Sequence, residues 1–286
     1  MVTLLPGPIV SPAWLAEHLH RPDLVVLDAS WYLPAMNRDP RQEFLDAHIP
    51  GAAFFDLDAL SEPATTLPHM FPDEPTVGRQ LGELGVSNRD AVVVYDGSGT
   101  NLSAPRAWWH LRAHGHDKVA VLDGGLGRWR AEGRPVESGP ATRPPAEFRA
   151  ERVPGAVWDL AMVRAAVGDP SVQLLDARSR GRFEGTEPEP RPGLRGGHVP
   201  GARNIPFTDL VAADGTLKSL AELTDLFRAA GIDLDRPVVT SCGSGVTACA
   251  LLLALEAVGH REHAVYDGAW TEWGGRADTP VATGPA

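Results

Sequence analysis

Hydrophobic and polar positions follow one another along the chain in short blocks, and these blocks predict strands and helices in turn. Brief runs of β-branched and aliphatic residues at Leu24–Asp28, Ala91–Tyr95 and Val119–Leu122 are typical of buried strands. Predicted helices span residues 12–20, before the first of these strands, and residues 76–84 and 105–114, between the strands. Because short apolar strands separated by helices indicate a parallel sheet covered on both faces, the predicted fold class is α/β.

The same pattern occurs twice, because segments of the first half match segments of the second half in the same order. The matching pairs are LVVLDAS (24–30) with VQLLDARS (172–179), HIPGAAFFDLDAL (48–60) with HVPGARNIPFTDL (198–210), VVVYDGSG (92–99) with VVTSCGSG (238–245), and LDGGLGRW (122–129) with YDGAWTEW (266–273). Four matches in one order indicate a tandem of two homologous domains, each with its own parallel sheet flanked by helices.

The boundaries of the two domains follow from the region between the copies. Residues 138–152 contain several prolines and show no periodicity, which is typical of a linker. We therefore predict an N-terminal domain at residues 1–137 and a C-terminal domain at residues 153–286.

Composition narrows the class of protein. The chain has 286 residues and a formal net charge of -11, which argues against nucleic acid or an anionic membrane as a partner. Only two cysteines are present and no Cys/His cluster has metal-ligand spacing, so neither a disulfide framework nor a metal site is expected. No apolar run approaches about 20 residues, and the N-terminus lacks the pattern of a signal peptide. We expect a soluble cytoplasmic protein.

The candidate chemistry lies where the predicted strand Val238–Ser241 gives way to a helix at residues 247–258. Two glycines between them allow successive N–H groups to converge on one point, where the positive end of the helix dipole also favours an anion. The residues of this turn are Cys242, Gly243, Ser244, Gly245, Val246 and Thr247. We therefore interpret Cys242 as a nucleophilic thiolate and not as a small buried apolar residue. Cys249 lies inside the helix, and we interpret it as a small buried apolar residue.

Two classes of enzyme hold a cysteine in this way: phosphatases and sulfurtransferases. A phosphatase needs an arginine six residues after the cysteine to grip phosphate, and this chain has Ala248 there. The loop instead resembles the active loop of the rhodanese superfamily, and CGSGVT resembles the 3-mercaptopyruvate sulfurtransferases within it. Thiosulfate-specific relatives place basic side chains where this chain has Gly243 and Ser244.

The first copy of the repeat differs at the decisive position. The alignment of VVVYDGSG with VVTSCGSG places Asp96 where the second copy has Cys242. A carboxylate cannot accept and pass on a sulfane sulfur, so we predict a non-catalytic first copy and one active site per chain.

Arginines for the substrate are expected in the loop at residues 176–201, because a guanidinium grips a carboxylate at two points. The candidates are Arg178, Arg180, Arg182, Arg191 and Arg195. The residues alone do not choose among them. The segment GRFEGTEPEPR resembles the family segment whose two arginines hold the pyruvate moiety, which implies Arg182 and Arg191.

The resemblance also implies a proton-transfer group. Ser244 lies two residues beyond the cysteine, and a serine alone is a poor acid or base. In the family a serine at this position is linked to a histidine and an aspartate of the first domain. The segment FFDLDALSEPATTLPHMFP matches at Asp58 and His69, although its middle departs from the family.

Taken together, the resemblance implies a two-domain sulfurtransferase that moves the sulfur of 3-mercaptopyruvate through a Cys242 persulfide and releases pyruvate. Cyanide, small thiols or thioredoxin are the acceptors that it implies, without cofactor or metal. Three alternatives stay open: a thiosulfate sulfurtransferase that uses the same cysteine, a persulfide carrier or redox sensor without turnover, and two structural domains with an incidental cysteine.

Overall fold

The computed structural model describes residues 5–286, which form two compact units. The first unit contains residues 5–63, Phe71–Val153 and Val211–Leu217. The second contains Ala64–Met70, Pro154–Leu210 and Lys218–Ala286. Each unit therefore includes one short segment from the other half of the sequence, a feature that the linear repeat does not reveal.

The first unit is built on one parallel sheet. Its strands are β1 (Ile9–Val10), β2 (Leu24–Asp28), β3 (Ala53–Phe54), β4 (Ala91–Tyr95) and β5 (Val119–Leu122). Its helices are α1 (Pro12–His18), α2 (Pro40–Asp46), α3 (Glu74–Glu83), α4 (Ala104–Ala113) and α5 (Gly125–Ala131). The strands lie in the order β1-β5-β4-β2-β3 and every pair is parallel.

The second unit repeats this arrangement. Its strands are β6 (Val157–Trp158), β7 (Gln173–Asp176), β8 (Arg203–Asn204), β9 (Val238–Ser241) and β10 (His263–Tyr266). Its helices are α6 (Leu160–Ala166), α7 (Arg180–Glu184), α8 (Leu220–Ala229), α9 (Ala248–Ala257) and α10 (Ala269–Gly275). The order β6-β10-β9-β7-β8, again all parallel, is the same topology as in the first unit. The predicted α/β fold class and the tandem of two similar domains are confirmed.

The predicted elements agree closely with the observed ones where the sequence carries strong local signals. The strands β2, β4, β5 and β9 have the predicted bounds. A capping box starts α8, since Ser219 and Glu222 each accept a hydrogen bond from the other's backbone N–H. Helix α3 begins at Glu74, two residues before the predicted start, because the Asp73 carboxylate caps it.

Residues 138–152 contain no helix or strand, and they are packed within the first unit. The N–H of Ala146 donates to the carbonyl of Gly82 on α3 (2.9 Å), and the N–H of Glu151 donates to His114 after α4 (3.1 Å). A Cβ at position 82 would lie 2.6 Å from the Ala146 carbonyl oxygen, which explains a glycine inside that helix. The exact domain boundaries stay a prediction.

The repeat extends to the side chains of the core. Trp129 and Trp273 are fully buried, and their indole N–H groups donate to Pro135 and Pro280 at the same distance of 2.7 Å. His48 and His198 also match, because each ring donates from Nδ1 to a backbone carbonyl at 2.8 Å. The two copies thus share buried contacts as well as topology.

No helix within residues 5–286 is long and apolar enough to cross a membrane.

The end of β2 provides a prediction about pH and stability. Asp28 is 1% exposed there, and burial raises its pKa to about 6 despite hydrogen bonds from Ser30 that oppose the rise. Because the folded pKa exceeds the unfolded value, this group stabilises the fold fully below about pH 4, and the contribution is lost as pH rises through 6. Asp28→Asn introduces a neutral isostere that does not titrate. We expect its unfolding free energy, relative to that of the natural protein, to increase by about 2–3 kcal/mol as the pH rises from 4 to 7.

Urea unfolding of both proteins across that pH range measures this difference. A difference in unfolding free energy that stays constant with pH would contradict the assignment of the shift to Asp28.

Candidate active site

Cys242 directly follows strand β9, and residues 242–247 connect it to helix α9. Cys242 is 2% exposed, Gly245 has a φ of +79°, and Thr247 is the N-cap residue of the helix. A φ in this region is left-handed and favours glycine, so Gly245 permits the sharp turn. The structure therefore contains the strand, loop and helix that the sequence predicts around the cysteine.

The first three carbonyl groups at this point of the chain are held by donors from other elements. Ser241 accepts a hydrogen bond from the N–H of Ala177 (2.8 Å), and Cys242 accepts one from the N–H of Trp270 (2.9 Å). Gly243 accepts one from the N–H of Thr271 (2.9 Å). These contacts fix the orientation of the peptide planes that lead into the loop.

The amide groups of the loop differ from these carbonyl groups in their hydrogen bonding. Within residues 5–286, no acceptor takes the N–H groups of Gly243, Ser244, Val246 and Thr247. Buried backbone N–H groups are almost always paired, so this concentration of open donors at the start of a helix indicates a place for an anion. The thiol of Cys242 begins the same loop.

Ser244 lies next to His69, which belongs to the second unit through segment Ala64–Met70. The distance from His69 Nδ1 to Ser244 Oγ is 3.0 Å, and both residues are 6% exposed. His69 has a φ of +60°, an uncommon conformation for a residue with a side chain and one that is found at functional sites. The structure thus brings together two predicted site residues that lie 175 positions apart in the sequence.

Asp58, the third member of the predicted proton-transfer set, belongs to the first unit. There its Oδ2 accepts a hydrogen bond from the indole N–H of Trp31 at 3.2 Å. Its role in the chemistry stays a prediction.

Arg182 and Arg191 converge on Gly243. A Cβ built on that glycine would lie 2.9 Å from Arg182 Nη2 and 4.0 Å from Arg191 Nη1. A larger residue would therefore displace the guanidinium group of Arg182, so the glycine makes room for it. The structure therefore places these two predicted residues beside the active loop, and their role in binding substrate stays a prediction.

Arg182 is held in place by a buried chain of charges. Its Nη2 donates to Glu189 Oε2 at 2.6 Å, and the other oxygen of Glu189 accepts from Arg178 Nη1 at 2.7 Å. Arg178 donates in turn to Asp176 at the end of β7 (2.7 Å). Burial lowers the pKa of Arg178, but the carboxylates of Asp176 and Glu189 outweigh burial and raise that pKa above its ordinary value. Glu189 was not among the residues predicted from the sequence, although it lies inside GRFEGTEPEPR.

The remaining arginines have structural partners. Arg180 forms an exposed ion pair with Asp209 (3.2 Å). Arg195 donates to the carbonyl groups of Trp273, Gly274 and Thr279, which holds the end of the chain against α10. These contacts distinguish the arginines, whereas the sequence alone does not show which of the five faces a ligand.

A comparison with known protein families agrees with this geometry. The model of the rhodanese-like domain matches residues 11–132 and again residues 159–276. The chain belongs to the rhodanese-like family.

Relatives of this rhodanese-like protein match over almost the whole chain. Thiosulfate/3-mercaptopyruvate sulfurtransferase 1, mitochondrial, of Arabidopsis thaliana is 45% identical over 96% of this chain and 78% of its own length. The 3-mercaptopyruvate sulfurtransferase of Homo sapiens is 45% identical over 94% of this chain and 92% of its own length. The crystal structure of SseA from Escherichia coli, a 3-mercaptopyruvate sulfotransferase, superimposes with a TM-score of 0.85 at 42% identity, covering 92% of this chain and 99% of SseA.

In the first rhodanese-like domain, the loop before α4 binds an anionic side chain. Asp96, at the position of the cysteine, accepts hydrogen bonds from the N–H groups of Ser98 (2.9 Å), Ser103 (3.0 Å) and Ala104 (2.8 Å). The carboxylate therefore occupies the nest of donors at the start of α4 and is 1% exposed. In the second rhodanese-like domain the equivalent donors are open, which leaves its loop available for an external or covalently held anion.

Proposed function

We propose that this protein is a 3-mercaptopyruvate sulfurtransferase that carries the transferred sulfur as a persulfide on Cys242. The observation that carries the proposal is the set of open amide donors around the buried cysteine, with Arg182 and Arg191 beside Gly243. The donor follows from the names of the relatives, since those of human and SseA both specify 3-mercaptopyruvate.

In the first half of the reaction the Cys242 thiolate attacks the sulfur of 3-mercaptopyruvate. A sulfur–sulfur bond forms, the carbon–sulfur bond breaks, and its electron pair leaves on pyruvate as the enolate. A proton delivered to the enolate carbon gives pyruvate, and the outer sulfur of the Cys242 persulfide carries the negative charge. Open N–H groups of the loop stabilise such an anion because they are already oriented and need no reorganisation.

Substrate recognition in this proposal depends on the two arginines. Arg182 and Arg191 bind the carboxylate and carbonyl oxygens of 3-mercaptopyruvate through charge-assisted hydrogen bonds. Glu189 holds Arg182 in the required orientation, which reduces the entropy lost on binding. The backbone of Gly243, Gly245, Val246 and Thr247 shapes the rest of the site.

Proton transfer is assigned to Ser244 with His69. The hydroxyl of Ser244 is 3.0 Å from His69 Nδ1, so the pair can pass a proton to the enolate as pyruvate forms. Asp58 is proposed as the group that orients His69, as the family resemblance implies. In this proposal all three residues serve the protonation of the enolate, and none of them acts on the persulfide.

In the second half of the reaction a nucleophile attacks the outer sulfur. The bond between the two sulfur atoms breaks, and the electron pair returns to Cys242 as the thiolate. Cyanide gives thiocyanate, a small thiol gives its own persulfide, and thioredoxin is the protein acceptor in this proposal. The cycle balances without a cofactor.

In this proposal the second domain, residues 153–286, is the catalytic one, and the first domain, with Asp96, is not catalytic. We also propose that the protein is located in the cytoplasm.

Thiosulfate is the alternative donor, and the Arabidopsis relative is named for both donors. Thiosulfate is a dianion that would favour basic side chains in the loop, whereas this chain has Gly243 and Ser244 there. We therefore rank it as the secondary substrate.

Initial rates of sulfur transfer to cyanide, measured side by side from 3-mercaptopyruvate and thiosulfate, test the proposal. We expect kcat/KM to be about tenfold or more higher for 3-mercaptopyruvate, which amounts to one specific charge-assisted contact. A preference for thiosulfate would select the alternative. Absence of turnover with both donors would instead favour a persulfide carrier.

A further inference from the structure

The start of helix α10 contacts the active loop through two consecutive residues. The N–H of Trp270 donates to the carbonyl of Cys242 (2.9 Å), and both the N–H (2.9 Å) and the hydroxyl (2.6 Å) of Thr271 donate to the carbonyl of Gly243. A single carbonyl oxygen thus receives two hydrogen bonds from one threonine. From this geometry we infer that Thr271 is a positioning residue that orients the amide donors of the persulfide site, an inference that rests on the proposed function.

The planarity of the peptide bond couples each carbonyl of the loop to the N–H of the next residue. In a trans peptide the carbonyl oxygen and the N–H of the next residue point in opposite directions. Fixing the Gly243 carbonyl toward α10 therefore turns the N–H of Ser244 away from α10. Fixing the Cys242 carbonyl does the same for the N–H of Gly243. Both of these N–H groups are among the open donors of the loop.

The first domain provides an internal comparison. Its matching segment LDGGLGRW has Leu126 and Gly127 at the positions of Trp270 and Thr271. Leu126 donates to the carbonyl of Asp96 at 3.0 Å, as Trp270 does to that of Cys242. Position 127 offers no hydroxyl, and the carbonyl of Gly97 accepts from Arg38 instead (3.1 Å). The threonine contact accordingly accompanies the cysteine and is missing beside Asp96.

The backbone of this turn indicates that the contact is kept at a cost. Ala269 has a φ of +49°, and the equivalent residue in the first domain is Gly125, with a φ of +54°. A left-handed conformation disfavours a residue with a Cβ, so an alanine there persists only where the surrounding contacts require it. Here the conformation allows the two following N–H groups to reach the loop.

The same helix is fixed to the arginine network. The Trp270 ring lies 4.3 Å from the guanidinium carbon of Arg178, and its indole N–H donates to the carbonyl of Arg195 (2.9 Å). Helix α10 is therefore a rigid support, and the Thr271 hydroxyl transmits its position to the peptide between Gly243 and Ser244. Without that hydroxyl, one hydrogen bond from the Thr271 N–H remains, and this peptide can rotate more freely.

Thr271→Val tests the inference because valine has the same shape but no hydroxyl. We expect kcat for 3-mercaptopyruvate to fall about 10- to 100-fold, since misaimed donors weaken the stabilisation of the developing persulfide anion. KM should stay within about twofold, because Arg182 and Arg191 are untouched. Thr271→Ser, which keeps the hydroxyl, should recover most of the activity. Thr224→Val serves as the matched control, since that hydroxyl donates to Leu220 on the exposed face of α8.

A second readout separates this inference from the proposed function. The rate at which iodoacetamide alkylates Cys242, followed by peptide mass spectrometry, depends on the stabilised thiolate and requires no sulfur donor. We expect Thr271→Val to lower this rate and Thr271→Ser to restore it, even if 3-mercaptopyruvate is not the donor. Unchanged kcat and alkylation in Thr271→Val, a change in KM alone, or an equal loss in Thr271→Ser would overturn the inference. If the valine variant fails to fold, Thr271→Ala takes its place under the same criteria.

Discussion

Replacing Cys242 with serine is expected to lower the rate of sulfur transfer from 3-mercaptopyruvate to cyanide by at least about 10³-fold. Serine preserves the size and burial of the side chain, but its hydroxyl is not a nucleophile toward sulfur and cannot form a persulfide. The initial rate of pyruvate release measures the effect. Mass spectrometry of the intact protein after exposure to 3-mercaptopyruvate should show one added sulfur atom on the natural protein and none on the variant.

Cys249→Ser is the matched control for this experiment. Cys249 is fully buried on α9, and its thiol donates to the carbonyl of Gly245 at 3.4 Å. A serine hydroxyl can make the same contact, so turnover should stay within about threefold of the natural protein. Persistent turnover in Cys242→Ser, or its loss in Cys249→Ser alone, would mean that the wrong cysteine has been assigned.

Much of the architecture around Cys242 was predictable because its signals are local. The strand Val238–Ser241 consists mainly of β-branched residues, and the glycines that follow permit the left-handed backbone that a sharp turn requires. The repeat indicated that the second half of the chain has the same kind of parallel sheet as the first half. Short strands such as β3 (Ala53–Phe54) and β8 (Arg203–Asn204) carry no such signal and were missed, because two residues cannot display a period.

The supporting contacts of the site were not predictable in the same way. Nothing in the sequence distinguishes Glu189 from the neighbouring glutamates or Thr271 from other threonines. Their importance lies in contacts with Arg182 and Gly243, which depend on how the loop, α7 and α10 pack. His69 likewise reaches Ser244 only because segment Ala64–Met70 belongs to the second unit. Family resemblance selected His69 and the two arginines, whereas composition and spacing alone left the choice open.

Replacing Arg182 is expected to weaken the use of 3-mercaptopyruvate strongly. Arg182→Gln should reduce kcat/KM for 3-mercaptopyruvate about 100-fold, mainly through a higher KM. Arg182 is 20% exposed at the side chain, so its contact with a substrate carboxylate is only partly screened by solvent. Losing one or two charge-assisted hydrogen bonds of about 1.5–3 kcal/mol each is sufficient for this reduction. Glu189 keeps its ion pair with Arg178 in the variant, so the protein should remain folded.

Arg180→Gln is the control that separates substrate binding from general loss of positive charge. Arg180 starts the same helix, carries the same charge and is 66% exposed, with Asp209 as its partner. An exposed ion pair contributes about 0–1 kcal/mol, so this variant should keep the kinetic constants of the natural protein. Equal losses in the two variants would mean that the effect comes from the total positive charge of the loop and not from a specific contact of Arg182. An effect confined to Arg182 would mean that its guanidinium group, held by Glu189 beside Gly243, makes a direct contact with the substrate.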